Sequence, residues 1–207
     1  MRAEKAIASI GTGPHRHLLR LSARSFAPFA ERHGYDLQLR TEPLDTSRPA
    51  PWSKIPLLRG LLESYELVVW LDSDLIIVDG RRDLPVPDFM ALVEHTTNEG
   101  RMPNSGVWVL RAGDDARRFL DELWSQEDLV HHKWWENAAI CRLLGYSLDP
   151  VGPRERTAWL ERTTFLDPSW NSIPDARAER PRIRHYPGYS VKVRAAFMTR
   201  DLLLRQR

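Results

Sequence analysis

Short apolar runs alternate along this chain with stretches in which apolar residues return every three or four positions, the pattern of strands alternating with helices. Residues 6–10 read as a first strand, ended by Gly11-Thr12-Gly13-Pro14. Leu18, Leu19, Ser22, Phe26, Phe29 and Ala30 then mark one face of a helix that closes at His33-Gly34, with glycine as the C-terminal cap. Pro28 should kink or split that helix. Residues 35–39 alternate like a second strand. Ser53 is the expected N-cap of a helix with Ile55, Leu58, Leu61 and Leu62 on one side and Pro56 in its first turn. Residues 67–71 (Leu-Val-Val-Trp-Leu) are apolar at every position, as in a central parallel strand covered on both faces. Residues 75–78 continue the apolar character beyond an acidic interruption. Residues 107–110 form another strand. A helix follows, with Asp114 as cap and Phe119, Leu120, Leu123 and Trp124 facing inward; a further helix spans about 134–144 and ends at Gly145. After Pro150 the chain reads as loop-rich and dense in Arg and Pro. The expectation is an α/β fold with a mainly parallel, Rossmann-like sheet flanked by helices, one domain over residues 1–207.

Composition narrows the picture by exclusion. The chain has 207 residues, enough to bury roughly 70% of its unfolded surface without crosslinks. Its net charge of +2 and scattered basic residues give no reason to expect nucleic acid as a partner. The one cysteine, Cys141, lies in Ala138-Ala139-Ile140-Cys141 and reads as a buried thiol. No apolar run approaches the roughly 18 residues of a membrane span, and the first residues lack a signal-peptide core. A cytoplasmic location is the resulting expectation.

Chemistry enters at Asp72-Ser73-Asp74, directly after the apolar strand. Two carboxylates two residues apart on extended chain point to the same side, about 7 Å apart. At the carboxyl end of a buried parallel strand they face the crevice where open α/β sheets bind ligands. Unpaired, they would repel each other and resist burial. A hard divalent cation, Mn²⁺ or Mg²⁺, resolves that conflict and also binds phosphate oxygens. The alternative is a pair of solvated strand-end carboxylates.

Several further segments occur in a fixed order around this pair: Phe29-Ala30-Glu31-Arg32-His33-Gly34-Tyr35, Trp52-Ser53-Lys54, Val69-Trp70-Leu71-Asp72-Ser73-Asp74, Asn104-Ser105-Gly106-Val107-Trp108-Val109-Leu110-Arg111 and His185-Tyr186-Pro187-Gly188. The series resembles the family of galactosyl-, mannosyl- and xylosyltransferases that includes the yeast mannan enzymes and the plant xyloglucan xylosyltransferases. The resemblance implies a GT-A fold, a nucleotide-diphosphate sugar (a UDP-sugar) as donor, a hydroxyl acceptor on a glycan or small molecule, a divalent metal and retention of anomeric configuration. Two features depart from the pattern. Glu136-Asn137 stands where an acidic residue followed by Gln is common, and the spacing of His185, Gly188 and Lys192 is one residue longer than usual.

The resemblance also implies roles. Asp74 would coordinate the metal, Asp72 the metal or the donor ribose, and His185 would complete the metal site. Gly188 and Lys192 would meet the diphosphate. Asn104 would bond donor-sugar hydroxyls, with Gly106 leaving room; Glu136 and Asn137 would lie near the anomeric carbon as the catalytic pair. Gly11 and Thr12, with Trp52 and Lys54, would border the nucleotide. Each has a plainer reading: turn glycines for Gly11 and Gly106, packing for Trp52, helix-dipole complement for Glu136, a loop histidine for His185. Trp134, Trp135, Trp159 and Trp170 are candidates for a stacking platform under an acceptor sugar. Two other functions compete: a non-catalytic sugar-nucleotide or glycan-binding module, and a phosphoryl-transfer enzyme. In the latter the acidic pair sits nearer the chain start and precedes a small residue, whereas here Leu75 follows it.

Overall fold

The structure is a computed structural model and describes residues 3–205. The first strand, β1 (Ala3–Ile10), is followed by α1 (His15–His33), β2 (Asp36–Arg40), α2 (Lys54–Ser64) and β3 (Tyr65–Leu71). β1 lies between β2 and β3, parallel to both. A short β4 (Leu75–Ile77) leaves the sheet, and the long pair β5 (Met90–Thr97) and β6 (Gly100–Arg111) returns to it. Next come α3 (Asp114–Trp124), α4 (Trp135–Leu143), β7 (Tyr146–Leu148), β8 (Val151–Pro153), α5 (Ala158–Glu161), β9 (Thr163–Phe165), β10 (Ile183–His185) and α6 (Val191–Arg205). Along the path β2-β1-β3-β6-β5-β9, only β6 runs against the other five. The expected mainly parallel α/β sheet is therefore what forms.

Alternation within the strands builds a core on each face. In β3, Val68 and Trp70 join Leu58, Leu62, Phe119 and Ile140 under α2, α3 and α4. Leu67, Val69 and Leu71 point the other way, to Phe26, Phe29 and Ala30 of α1. Burying both faces explains why this strand carries no polar position between Leu67 and Leu71. Cys141 is fully buried, and burial pushes its thiol up to about 12, consistent with an inert core residue.

Local details differ from the sequence expectations. Pro28 does not split α1, because Pro28 and Arg24, whose carbonyl it leaves unbonded, both lie on the exposed side where water can serve that group. Ser53 does not cap α2: a 3₁₀ turn (Ala50–Ser53) runs directly into the helix, and the Ser53 hydroxyl accepts instead from the Leu44 amide. Asp114 lies inside the first turn of α3, paired to Arg117, where it complements the helix dipole without capping. Asn104-Ser105-Gly106 does not precede a strand but lies within β6. The loop-rich segment after Pro150 also holds a helix that was not expected, the 15-residue α6. That helix has a legible stripe, Val191, Ala195, Met198 and Leu202, which packs with Leu18, Leu21 and Ile76. No helix among the described residues is long and apolar enough to cross a membrane.

Candidate metal centre

Strand register assembles the site. β3 ends at Leu71, paired with Val107 of β6, so the next amide, Asp72 N–H, donates to the Gly106 carbonyl at 2.9 Å. The chain then turns away into β4, which pairs antiparallel with β10 and sets His185 opposite Leu75. That second pairing carries an imidazole from more than a hundred residues downstream to the side of Asp74. Asp72, Asp74 and His185 each offer a ligand atom within 4.8 Å of the others. His185 Nε2 lies 3.4 Å from Asp74 Oδ1 and 3.7 Å from Asp72 Oδ2.

Each of these atoms is turned to the common point by its own partners. Asp72 Oδ1 is occupied by the Trp70 indole N–H at 2.6 Å and by the Lys54 ammonium at 3.3 Å, which leaves Oδ2 facing His185. Asp74 Oδ2 accepts from Arg194 Nη1 at 2.9 Å, which leaves Oδ1. The histidine tautomer follows from a chain of hydrogen bonds anchored on backbone. Gly106 N–H donates to Asn104 Oδ1 at 2.9 Å, so that atom is an acceptor. It therefore takes its second bond from Asn171 Nδ2, at 2.8 Å. The other end of that amide is Oδ1, which accepts from His185 Nδ1 at 3.0 Å. The proton thus sits on Nδ1, and Nε2 turns its lone pair toward the carboxylates. Two carboxylate oxygens and a neutral imidazole nitrogen form a donor set suited to Mn²⁺ or Mg²⁺.

Electrostatics agrees with that geometry. Burial alone would raise the Asp74 carboxyl, but neighbouring positive charge lowers it; with the imidazole neutral, that charge is the Arg194 guanidinium at 2.9 Å. Lys54 is buried at 2% exposure, which disfavours its charge, yet Asp72 and Glu136 more than compensate and raise its pKa. Its ammonium bonds Glu136 Oε1 at 2.6 Å and Ser105 Oγ at 3.1 Å. Glu136 Oε2 is buried with no hydrogen-bond partner. That unmet acceptor beside the acidic pair is the kind of group a ligand hydroxyl satisfies.

Other residues named from sequence take different places. The room left by Gly106 holds the His185 ring: a Cβ there would stand 2.6 Å from Nδ1. β6 can offer that room because Leu92 of β5 pairs with Trp108 and Val93 with Asn104, which leaves residues 105–107 unpaired on that side. Asn137 accepts from the Ser105 amide at 2.9 Å and donates to the Pro103 carbonyl at 3.1 Å, bracing α4 against β6. Gly11 lets the chain turn tightly into α1, since a Cβ would meet the His15 carbonyl oxygen at 2.6 Å; Thr12 accepts from the His15 amide. Trp52 is fully buried, its indole N–H bonded to the Val130 carbonyl, so it packs the core and presents no face to a nucleotide. Lys54 likewise is enclosed and reaches the site only through Asp72 and Glu136. Gly188 (φ +79°) and Lys192 are exposed, and Lys192 has no ion pair among the described residues. The four tryptophans do not form one platform. Trp159 and Trp170 are buried in cores on opposite faces of the sheet, whereas Trp135 is 42% exposed with φ +45° at the start of α4.

Two participants were missed by sequence reasoning. Asn171 gave no signal, since one asparagine in a Pro-rich stretch looks like a turn. Arg194 lies two residues beyond Lys192 and was hidden with the unrecognised α6.

The fold that carries this centre is the GT-A glycosyltransferase fold. The structure matches a glycosyltransferase involved in glycosylation of the major capsid of PBCV-1 over 94% of this chain and 99% of the other, with TM-score 0.68 and 20% identity. It matches the galactosyltransferase LgtC, solved with donor and acceptor sugar analogues, over 97% and 95%, with TM-score 0.63 and 12% identity. The sequence resemblance to galactosyl- and xylosyltransferases is borne out as well. An uncharacterised α-1,2-galactosyltransferase of Schizosaccharomyces pombe is 32% identical over 37% of this chain and 22% of its own length. Xyloglucan 6-xylosyltransferase 2 of Arabidopsis thaliana is 30% identical over 51% and 25%. The chain thus spans about a quarter or less of these curated relatives. No family model matches the sequence.

Proposed function

We propose that this chain is a metal-dependent glycosyltransferase that moves a hexosyl or pentosyl group from a UDP-sugar to a hydroxyl acceptor on a glycan or small molecule. The convergence of Asp72 Oδ2, Asp74 Oδ1 and His185 Nε2 at the end of β3 carries the reading. Asp72, Asp74 and His185 would hold Mn²⁺ or Mg²⁺. The ion supplies Lewis-acid stabilisation of the charge that grows on a departing diphosphate.

The chain's own groups do the rest. Lys54 bridges Asp72 and Glu136 and fixes their spacing. Glu136 Oε2, buried and unpartnered, accepts a hydroxyl of the donor sugar. Asn104 uses its Oδ1 on Gly106 and Asn171, holding the His185 ring through Asn171, and its Nδ2 is the atom that would meet a donor-sugar hydroxyl. Asn137 positions α4, and with it Glu136, near the anomeric carbon. Gly11, Thr12 and Gly188 shape the backbone bordering the nucleotide and diphosphate. Transfer with retained configuration is part of the proposal on the resemblance to galactosyl- and xylosyltransferases.

A thermal-shift panel of UDP-, GDP- and dTDP-sugars, each with and without Mn²⁺, tests the reading. UDP-sugars should raise the melting temperature only with the metal, and Asp74→Ala should abolish the rise. A shift of equal size without metal, or one indifferent to Asp74→Ala, would sink it.

A further inference from the structure

Asp74 is shared between two neighbours of different kinds. Its Oδ1 faces the His185 lone pair, and its Oδ2 carries the Arg194 guanidinium at 2.9 Å. Arg194 is half-buried in the first turn of α6. Its Nε is fixed on the Tyr189 carbonyl at 2.7 Å, and Nη1 also lies 3.3 Å from Nε2 of His15, the first residue of α1. The planar fork therefore sits between the acidic pair and the start of α1, beside the Gly11-Thr12 turn. Lys192, by contrast, is exposed and has no ion pair among the described residues.

A monovalent guanidinium and a divalent ion on one carboxylate repel each other, so an ion arriving at Asp74 weakens the hold on Arg194. A diphosphate reverses that sign, because its oxygens attract both cations. A guanidinium also suits phosphate better than an ammonium does, since two N–H groups can meet two oxygens at once.

We propose that Arg194 grips the donor diphosphate and that, in the free protein, it stands in for the divalent ion on Asp74. The proposal rests on the metal–diphosphate reading of the site. It makes Arg194 antagonistic to metal alone and cooperative with metal plus nucleotide. A residue that merely tied α6 to β4 would show no such reversal of sign.

Binding measurements on the full chain separate these cases. Mn²⁺ alone is titrated by electron paramagnetic resonance, and UDP at saturating Mn²⁺ by calorimetry, for wild type, Arg194→Gln and Arg194→Lys. Arg194→Gln should bind Mn²⁺ alone about threefold tighter or more, and UDP about tenfold weaker or more, since it removes a charge-assisted pair. Arg194→Lys should recover part of the UDP affinity. Unchanged UDP affinity in Arg194→Gln, or parallel loss of both ligands in both variants, overturns the assignment. So does loss of UDP binding in Lys192→Ala while Arg194→Gln keeps it. A wild-type chain that binds neither Mn²⁺ nor UDP overturns the reading of the site beneath it, which is a distinct result.

Discussion

The two regions that meet at the acidic pair are held in opposite ways. On one side β1, β3 and β6 are strands whose alternate residues are buried in two apolar cores; they carry Gly106 within β6 and Asp72 and Asp74 in the turn that directly follows β3. On the other, β10 and α6 bring His185 and Arg194 on a three-residue strand and one helix. Their attachment combines a smaller apolar cluster, Met198 and Leu202 against Leu18, Leu21 and Ile76, with polar bonds: Arg184 and the Tyr186 hydroxyl bond the buried Asp201, Asn171 holds His185, and Arg194 holds Asp74. A large apolar scaffold resists local opening, whereas a short segment held by a small apolar cluster and polar contacts opens at smaller cost. The carboxylates are thus presented rigidly, and the imidazole and guanidinium arrive on the part better able to move.

The largest break should come where the two regions touch without slack. Gly106→Ala puts a methyl into the His185 ring and should lower Mn²⁺ affinity more than about 100-fold, read by electron paramagnetic resonance, with the far-ultraviolet spectrum retained. Unchanged affinity would mean that the contact is looser than drawn.

Acid should attack the scaffold side. His95, on β5, is buried with neither ring nitrogen bonded, and burial, with His185 adding a smaller effect, lowers its pKa to about 4. The unfolded chain binds that proton near 6.5 and the folded chain does not. Stability is therefore complete above about pH 6.5 and falls as pH drops toward 4, by up to about 3 kcal/mol from this group. Urea melts at pH 7 and pH 4.5 should show a smaller loss in His95→Leu than in wild type.

On the downstream side, Asn171→Ala frees the ring of His185 and should weaken Mn²⁺ binding about 10- to 100-fold, with little change in melting temperature. Smallest in free energy, Asp201→Asn should cost about 1–2 kcal/mol of stability, because Arg184 and Arg200 are partly exposed and can rehydrate. Hydrogen exchange should localise that loss to residues 183–205 and leave β1, β3 and β6 protected. Uniform loss across the sheet would erase the contrast between the regions.

Much of the scaffold was legible before any coordinates. The unbroken apolar run of β3, the spacing along α1 and α2, and the acidic pair directly after a buried strand are local patterns, set by burial and by the 3.6- and 2-residue periods. They sufficed to expect an α/β sheet with a metal site at the carboxyl end of a central strand. Three-dimensional pairing decided the remainder. Nothing near Leu75 announces that β4 will pair with residues 183–185, yet that register is what puts His185 beside Asp74. Gly106 reads as a turn glycine until the imidazole is seen in its place, and Lys54 as a cation bordering the nucleotide until Asp72 and Glu136 enclose it. Periodicity is written into neighbouring residues; which distant groups share a few ångströms depends on how strands align after collapse, and that is decided only in the folded chain.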